Sequence, residues 1–338
     1  MAQQKAFIAG CAGLTLSADE KTFFANDRPW GFILFKRNCE SKAQISDLCA
    51  ALREAASAPQ APIFIDQEGG RVQRLQPPIW PKYPTGQTFA DLYGKDEAVG
   101  ERAVYLAARL IAHDLIEIGV DADCLPVLDV PVPGAHDVIG DRAYGRDPRI
   151  ISHLGGLAAD ALLDGGVLPV IKHIPGHGRA GVDSHLELPR VDASRHELET
   201  IDFAPFKALA HLPMAMTAHV VYEALDASAP CSTSPSVISD VIRDFIGFDG
   251  LLMSDDVSMN ALHGEISDRT AACFAGGCDF VLHCNGKFDE MQQVAANTPE
   301  LEGKAAIRGD KALAWRKKPS SFDAKAGLNE LEAIVSTL

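Results

Sequence analysis

Eight short apolar runs recur along the chain, each separated from the next by a helix-spaced or loop segment, and half of them end on an ionisable side chain. In order they are Phe7–Gly10, Gly31–Phe35, Pro62–Asp66, Ala122–Val130, Val167–Ile171, Ala215–His219, Gly250–Asp255 and Asp279–His283. Between them, Ser17-Ala18-Asp19-Glu20 reads as a capping box, and Ile45, Leu48, Leu52 and Ala55 carry helical spacing over residues 41–56. Helices are further expected over residues 97–118, 152–163, 194–212, 234–245 and 269–275, and a helical tail from Asp289 onward. The region around Pro77, Pro78, Pro81 and Pro84 is expected to be irregular. Strands alternating with helices in this number predict an α/β fold, a (β/α)8 barrel with a C-terminal helical tail. A doubly wound sheet competes, but no Gly-x-Gly-x-x-Gly follows the first run. The 338 residues suit one catalytic unit spanning 1–338, with a barrel core over about 5–300 and a tail over about 301–338.

Asp66, Asp129, Lys172, His173, His219 and Asp255 all fall at the carboxyl ends of expected strands, the face on which such barrels build their sites. The richest stretch is Lys172-His173-Ile174-Pro175-Gly176-His177-Gly178-Arg179-Ala180-Gly181-Val182-Asp183-Ser184-His185. Its three glycines and proline make it a loop, and it holds Asp183 and His185 at a spacing that lets a carboxylate orient an imidazole. The pattern suggests a catalytic lid. Metal ligation by His173, His177, Asp183 and His185 is the competing reading. Glycine breaks the helix such a pair would use, and no glutamate lies between the histidines as in a zincin.

The formal net charge of −15 argues against nucleic acid or an anionic membrane as partner. Eight scattered cysteines, with no CxxC pair, read as small buried hydrophobes of a reducing compartment. No signal-peptide core or bilayer-length apolar run is seen, so the cytoplasm is the expected location, with a monomer expected.

Three motifs carry a family resemblance. They are Ile65-Asp66-Gln67-Glu68-Gly69-Gly70-Arg71-Val72-Gln73-Arg74, the Lys172–His185 stretch, and Met253-Ser254-Asp255-Asp256-Val257-Ser258-Met259. Together they resemble the bacterial β-N-acetylglucosaminidases of glycoside hydrolase family 3, most nearly the short cytoplasmic members that recycle muropeptides. The likeness spans nearly the whole chain, with Ile174 where the family often has phenylalanine and Val257 where it often has leucine. The resemblance implies Asp255 as nucleophile and His185 as general acid/base partnered by Asp183. It implies Asp66, Arg74, Arg142, Lys172 and His173 as residues that hold the N-acetylglucosamine ring, with no cofactor and no metal. It also implies a retaining exo-hydrolase acting on N-acetylglucosaminyl-anhydro-N-acetylmuramic acid and its peptides.

Elementary chemistry accommodates these roles. Retention needs an attacking carboxylate and a proton donor for the leaving oxygen, and an imidazole titrating near neutrality suits the second task. Lys172, Arg74 and Arg142 are donors whose charge favours an ionised nucleophile. Asp256 is the rival nucleophile, since neighbouring strand side chains face opposite ways. Glu68 and Arg71 read as a local ion pair outside the site, and His177, His219 and Asp129 as support. A β-glucosidase, a phosphorylase, a metal-dependent amidohydrolase and a non-catalytic sugar binder remain the alternative functions.

Overall fold

A computed structural model describes residues 3–184 and 187–338. Eight strands close into a barrel: β1 (Lys5–Gly10), β2 (Pro29–Leu34), β3 (Ile63–Ile65), β4 (Ala122–Asp123), β5 (Leu168–Ile174), β6 (Met214–Thr217), β7 (Leu251–Asp256) and β8 (Phe280–His283). Each pairs in parallel with its sequence neighbours, and β8 closes on β1 with Phe7 opposite Val281. Closure leaves no open edge in the main sheet.

The period-2 alternation of a strand explains both layers of the core. Ile8, Ile33, Phe64, Leu168, Val170, Met214, Met216, Leu251, Met253, Phe280 and Leu282 form one buried cluster that fills the barrel. Phe7, Phe32, Ile63, Ile65, Ile171, Ala215, Leu252 and Val281 belong to a second cluster shared with the surrounding helices. Trp30 stacks on Phe280 at 4.5 Å between ring centroids, closing the lower end of the interior together with Ala312 and Trp315.

The helices begin where local chemistry satisfies their free N–H groups. Ser17 caps α1 (Ala18–Asp27), its hydroxyl accepting from Glu20 N–H at 3.1 Å while Glu20 returns to Ser17 N–H at 2.8 Å. Ser41 caps α2 (Lys42–Ala55). Then come α3 (Gly86–Lys95), α4 (Glu97–Glu117) and α5 (Pro148–Asp164). Asp147 caps α5, whose first position is a proline. After β7 follow α6 (Ile266–Gly276), α7 (Phe288–Ala296), α8 (Gly303–Leu313) and α9 (Ala324–Val335). Arg308 of α8 bonds Asp279 at 2.9 Å and Asp249 at 2.7 Å, and Arg102 of α4 grips Glu330 of α9 twice at 2.7 Å.

Three elements differ from the sequence expectation. The fourth strand is a two-residue ladder, not residues 122–130, because Pro126 has no N–H to give. Its continuation still holds β5 through Leu128 N–H to Lys172 carbonyl at 2.8 Å. The helix expected over 194–212 is broken into a turn at Arg195–Glu197, a π-helical turn at Leu198–Asp202 and a turn at Ala204–Ala208. Pro205 interrupts the ladder there. In the proline-rich region Thr85 caps α3, which the irregular reading passed over.

All eight cysteines are free thiols, seven of them buried. Burial pushes Cys11, Cys39 and Cys49 up to about 12, so they are inert. No helix among the described residues is long and apolar enough to cross a membrane.

The interior packing sets an expected outcome for two substitutions. Phe64→Ala should cost about 3–5 kcal/mol in urea unfolding, because a fully buried ring is replaced by a void. Ile307→Ala, at a side chain 55% exposed, should stay within about 0.5 kcal/mol. Equal effects would mean the barrel interior is not the packed core.

Candidate active site

The alternation that fills the barrel also sets what lies above it. Two residues beyond Phe64 is Asp66, two beyond Val170 is Lys172, two beyond Met253 is Asp255, and two beyond Leu282 is Cys284. All four line a cavity of about 280 Å3 at the carboxyl end of the strands, near the lower edge of the roughly 300–1,000 Å3 usual for small-ligand pockets. Phe35, Arg37, Glu68, Arg74, Arg142, His173, His177, Ser184, Asp256 and Asn285 share the wall. The register of β5 shifts between Lys172 and Ile174, a local irregularity that accompanies His173 reaching the cavity beside its neighbour.

Lys172 is buried, and its ammonium lies 2.8 Å from Asp66 Oδ1 and 2.6 Å from Glu68 Oε1. Arg74 donates to Asp66 Oδ2 at 3.0 Å. Arg142 grips both oxygens of Glu68 at 2.8 Å, a bidentate pair. Burial alone would raise both carboxyls, but the cations win. Asp66 is held far below the usual carboxylate range by Lys172 and Arg74, and Glu68 is lowered to about 2 by Arg142 and Lys172. Burial opposes the charge on Lys172, yet Asp66 and Glu68 raise it well above its ordinary value. Three cations thus interlock with two carboxylates on the cavity wall.

Asp129 organises the next corner. Its Oδ2 lies 2.7 Å from His173 Nδ1, and its Oδ1 accepts from the backbone N–H of His173 at 3.1 Å and of His177 at 2.7 Å. Although burial raises it, His173 and these bonds bring Asp129 down to about 2, so it accepts and His173 Nδ1 carries the proton. Nε2 of His173 is then the nitrogen available to a ligand. Burial, reinforced by His173, pushes His177 down to about 4, so that ring is neutral at pH 7 and meets Ser184 Oγ at 3.1 Å.

On β7, two neighbouring aspartates line the cavity. Asp256 accepts from Ser258 N–H at 3.0 Å, Ser258 Oγ at 2.7 Å and Cys284 N–H at 3.1 Å. Asp255 accepts from the backbone N–H of Asp256 at 2.8 Å. Asp183 stands on the loop after β5, its carbonyl accepting from Glu187 N–H at 3.0 Å. His185, the candidate acid/base, lies outside the described residues.

Asp66, Arg74, Arg142, Lys172 and His173 are therefore brought together with Asp255 around one cavity. Glu68 is a correction: it pairs with Arg142 and Lys172 inside the site, while Arg71 pairs with Asp137 at 3.1 Å on the rim. Its signal was there to read, since Glu68 lies two residues beyond Asp66. Phe35, two beyond Ile33, was equally legible; the guanidinium groups of Arg37 and Arg74 lie 5.1 and 4.9 Å from its ring centroid. Among the described residues, no group of three or more His, Cys, Asp or Glu side chains is placed to hold a metal ion.

With this geometry in view, comparison with known proteins is informative. The profile of the glycosyl hydrolase family 3 N-terminal domain matches residues 10–308. The chain belongs to glycoside hydrolase family 3. A β-hexosaminidase of Alkalilimnicola ehrlichii is 40% identical over 282 residues, covering 82% of this chain and 80% of that protein. One from Thioalkalivibrio sulfidiphilus is 34% identical over 332 residues, covering 95% and 94%. The crystal structure of NagZ from Neisseria gonorrhoeae in complex with N-trifluoroacetyl-D-glucosamine superimposes with a TM-score of 0.85 at 30% identity, over 99% of this chain and 97% of that one. The chain thus spans nearly the whole length of the Thioalkalivibrio and Neisseria proteins.

The ion network makes stability depend on acid. Asp66, Glu68 and Asp129 all have folded pKa values below their unfolded values of about 4. The unfolded chain therefore binds more protons, and the stability they supply is complete above about pH 5 and lost as pH falls through 4 toward 2. Lys172→Met should lower stability at pH 7 by about 3–5 kcal/mol, since it strips a shared cation from two buried carboxylates. Between pH 5 and 3 its urea midpoint should fall less steeply than that of the native chain. Parallel slopes would show that Lys172 does not set those carboxyls.

Proposed function

We propose that this family-3 enzyme is a β-hexosaminidase that releases terminal, non-reducing β-linked N-acetylglucosamine with retention of configuration. The single observation that carries the mechanism is the course of the side chains at the end of β7. Asp255 continues the inward-facing row Leu251, Met253 into the cavity, while the carboxylate of its neighbour Asp256 is committed to three protein donors. Asp255 is accordingly the nucleophile.

In the first step a carboxylate oxygen of Asp255 attacks the anomeric carbon, and the glycosidic oxygen departs with a proton from His185. A glycosyl ester on Asp255 results. In the second step water attacks the same carbon, its proton passes to His185, and Asp255 leaves as carboxylate. Asp183 orients the imidazole and favours its charged form. Asp66 offers acceptor oxygens to ring hydroxyls, Arg74, Arg142 and Lys172 supply donors, and His173 presents Nε2. The preference for the 2-acetamido sugar is supported by the β-hexosaminidase relatives and by the N-trifluoroacetyl-D-glucosamine complex of the Neisseria protein. The natural substrate in this reading is N-acetylglucosaminyl-anhydro-N-acetylmuramic acid, with or without its peptide.

Three measurements bear on this reading. Asp255→Ala should lose about four orders of magnitude or more in turnover of an aryl N-acetyl-β-glucosaminide, and a 5-fluoro glycosyl fluoride should label Asp255 in a peptide map. A label on Asp256 would overturn the assignment. The N-acetyl sugar should outperform the matched glucoside by about 1–3 kcal/mol in kcat/KM, since a missing acetamide leaves its partners unpaired; equal values would refute the specificity. His185→Ala should be far more damaging on the disaccharide than on a nitrophenyl glycoside, whose leaving group needs little protonation. Equal losses on both would make His185 a binding group.

A further inference from the structure

Beneath Asp255 lies a chain of hydrogen bonds that the proposed chemistry does not use. His219, just past the end of β6, is fully buried. Its Nε2 lies 3.1 Å from the backbone carbonyl of Asp256, and its Nδ1 lies 2.7 Å from Ser232 Oγ. Ser232 Oγ is in turn 2.6 Å from Thr217 Oγ1 and 3.1 Å from the Ala218 carbonyl. Both hydroxyls are fully buried.

Proton accounting narrows the states this chain can take. A carbonyl has no hydrogen to give, so His219 Nε2 carries one in every case. If the ring is neutral, Nδ1 is an acceptor, Ser232 donates to it, and Thr217 donates to Ser232. If the ring is charged, Nδ1–H donates to Ser232, whose own proton goes to the Ala218 carbonyl. The ionisable groups facing the ring are Asp255 and Asp256 on β7 and His173 on β5. Burial disfavours the charged ring and, with His173, outweighs the two aspartates.

Asp256 is the pivot of this arrangement. Its carboxylate is fixed by Ser258 and Cys284, its carbonyl by His219, and its N–H donates to Asp255 Oδ1. We infer that His219, held as the neutral Nε2–H tautomer by the Ser232 hydroxyl, is a positioning residue that locks Asp256 and through it aims the Asp255 carboxylate. The inference rests on Asp255 being the nucleophile. It gives the barrel's sixth strand a part in the chemistry without any contact with the sugar.

Two substitutions at one position separate positioning from mere filling. Glutamine places its amide nitrogen near the site of His219 Nε2 and keeps the donor to Asp256, whereas asparagine reaches only as far as Nδ1. His219→Gln should stay within about 5-fold of the native kcat/KM on an aryl N-acetyl-β-glucosaminide, while His219→Asn should lose about 10- to 100-fold, the scale of a small misplacement of a reacting group. Binding of N-acetylglucosamine as a competitive inhibitor should change little in either. In 15N-histidine NMR, His219 should show a protonated Nε2 and a bare Nδ1 at pH 7, and Ser232→Ala should shift the Nδ1 resonance most, with Ser232→Thr restoring it.

Equal activity of the glutamine and asparagine variants, or a doubly protonated ring at pH 7, would overturn the inference. Should the native chain fail to turn over the aryl glucosaminide at all, the proposed function falls and the inference with it. Native turnover with indistinguishable variants removes the inference alone.

Discussion

A lysine ammonium with almost no access to water holds the upper end of this barrel together. Lys172 lies against Asp66 and Glu68, and through them against Arg74 and Arg142. An isolated buried charge of either sign would cost several kcal/mol or shift its proton. Here each charge has a partner within hydrogen-bond distance, so none has to be neutralised. The same bonds fix five side chains from β3, β5 and two loops in one orientation before any ligand arrives. Binding then spends little on ordering them, which is the condition for a site that recognises hydroxyls by geometry.

The second dependence is on alternation. In β3, β5 and β7 the inward row is apolar through the barrel and becomes polar at its end, so one periodicity builds the core and presents the site. Where the row simply alternates, as in Phe64 to Asp66, the site residue could be named from the sequence; Asp255 could be named too, although the pairing of β7 with β8 shifts between Met253 and Asp256. Glu68 was equally in phase, but Arg71 lay near in sequence and offered itself as a partner. The true partners, Arg142 and Lys172, are 74 and 104 residues away, and no local pattern announces a pairing over such a separation. The fourth strand shows the opposite failure. Its apolar pattern was real, but Pro126 removed the donor that a regular ladder needs, so burial persisted where regular pairing did not.

The helices tell the same story in smaller form. Capping residues such as Ser17 and Ser41 act within three positions of themselves, so the helix starts at α1 and α2 follow from local chemistry, whereas the Thr85 cap lies among prolines that mask it. Residues 194–212 had helical composition, yet Pro205 cut the run into turns. Asp202, in one of those turns, reaches Arg179 of the loop after β5 at 2.7 Å. That contact joins two segments whose relation only the folded chain reveals.

The alternation of strand residues also limits how such a protein can change its substrate over evolutionary time. A strand of the barrel delivers only one or two side chains at its end to the cavity, as Lys172 and His173 on β5 or Asp255 and Asp256 on β7, and slipping its register by one residue would turn its whole inward row outward. The strand ends therefore form a short, rigid alphabet, spent here on Asp66, Lys172, Asp255 and Cys284. Novelty has to be written in the connecting loops, which already supply Glu68, Arg74, Arg142 and Ser184 without touching the barrel's inner packing. A descendant with a different sugar preference would be expected to keep its strands and rewrite its loops.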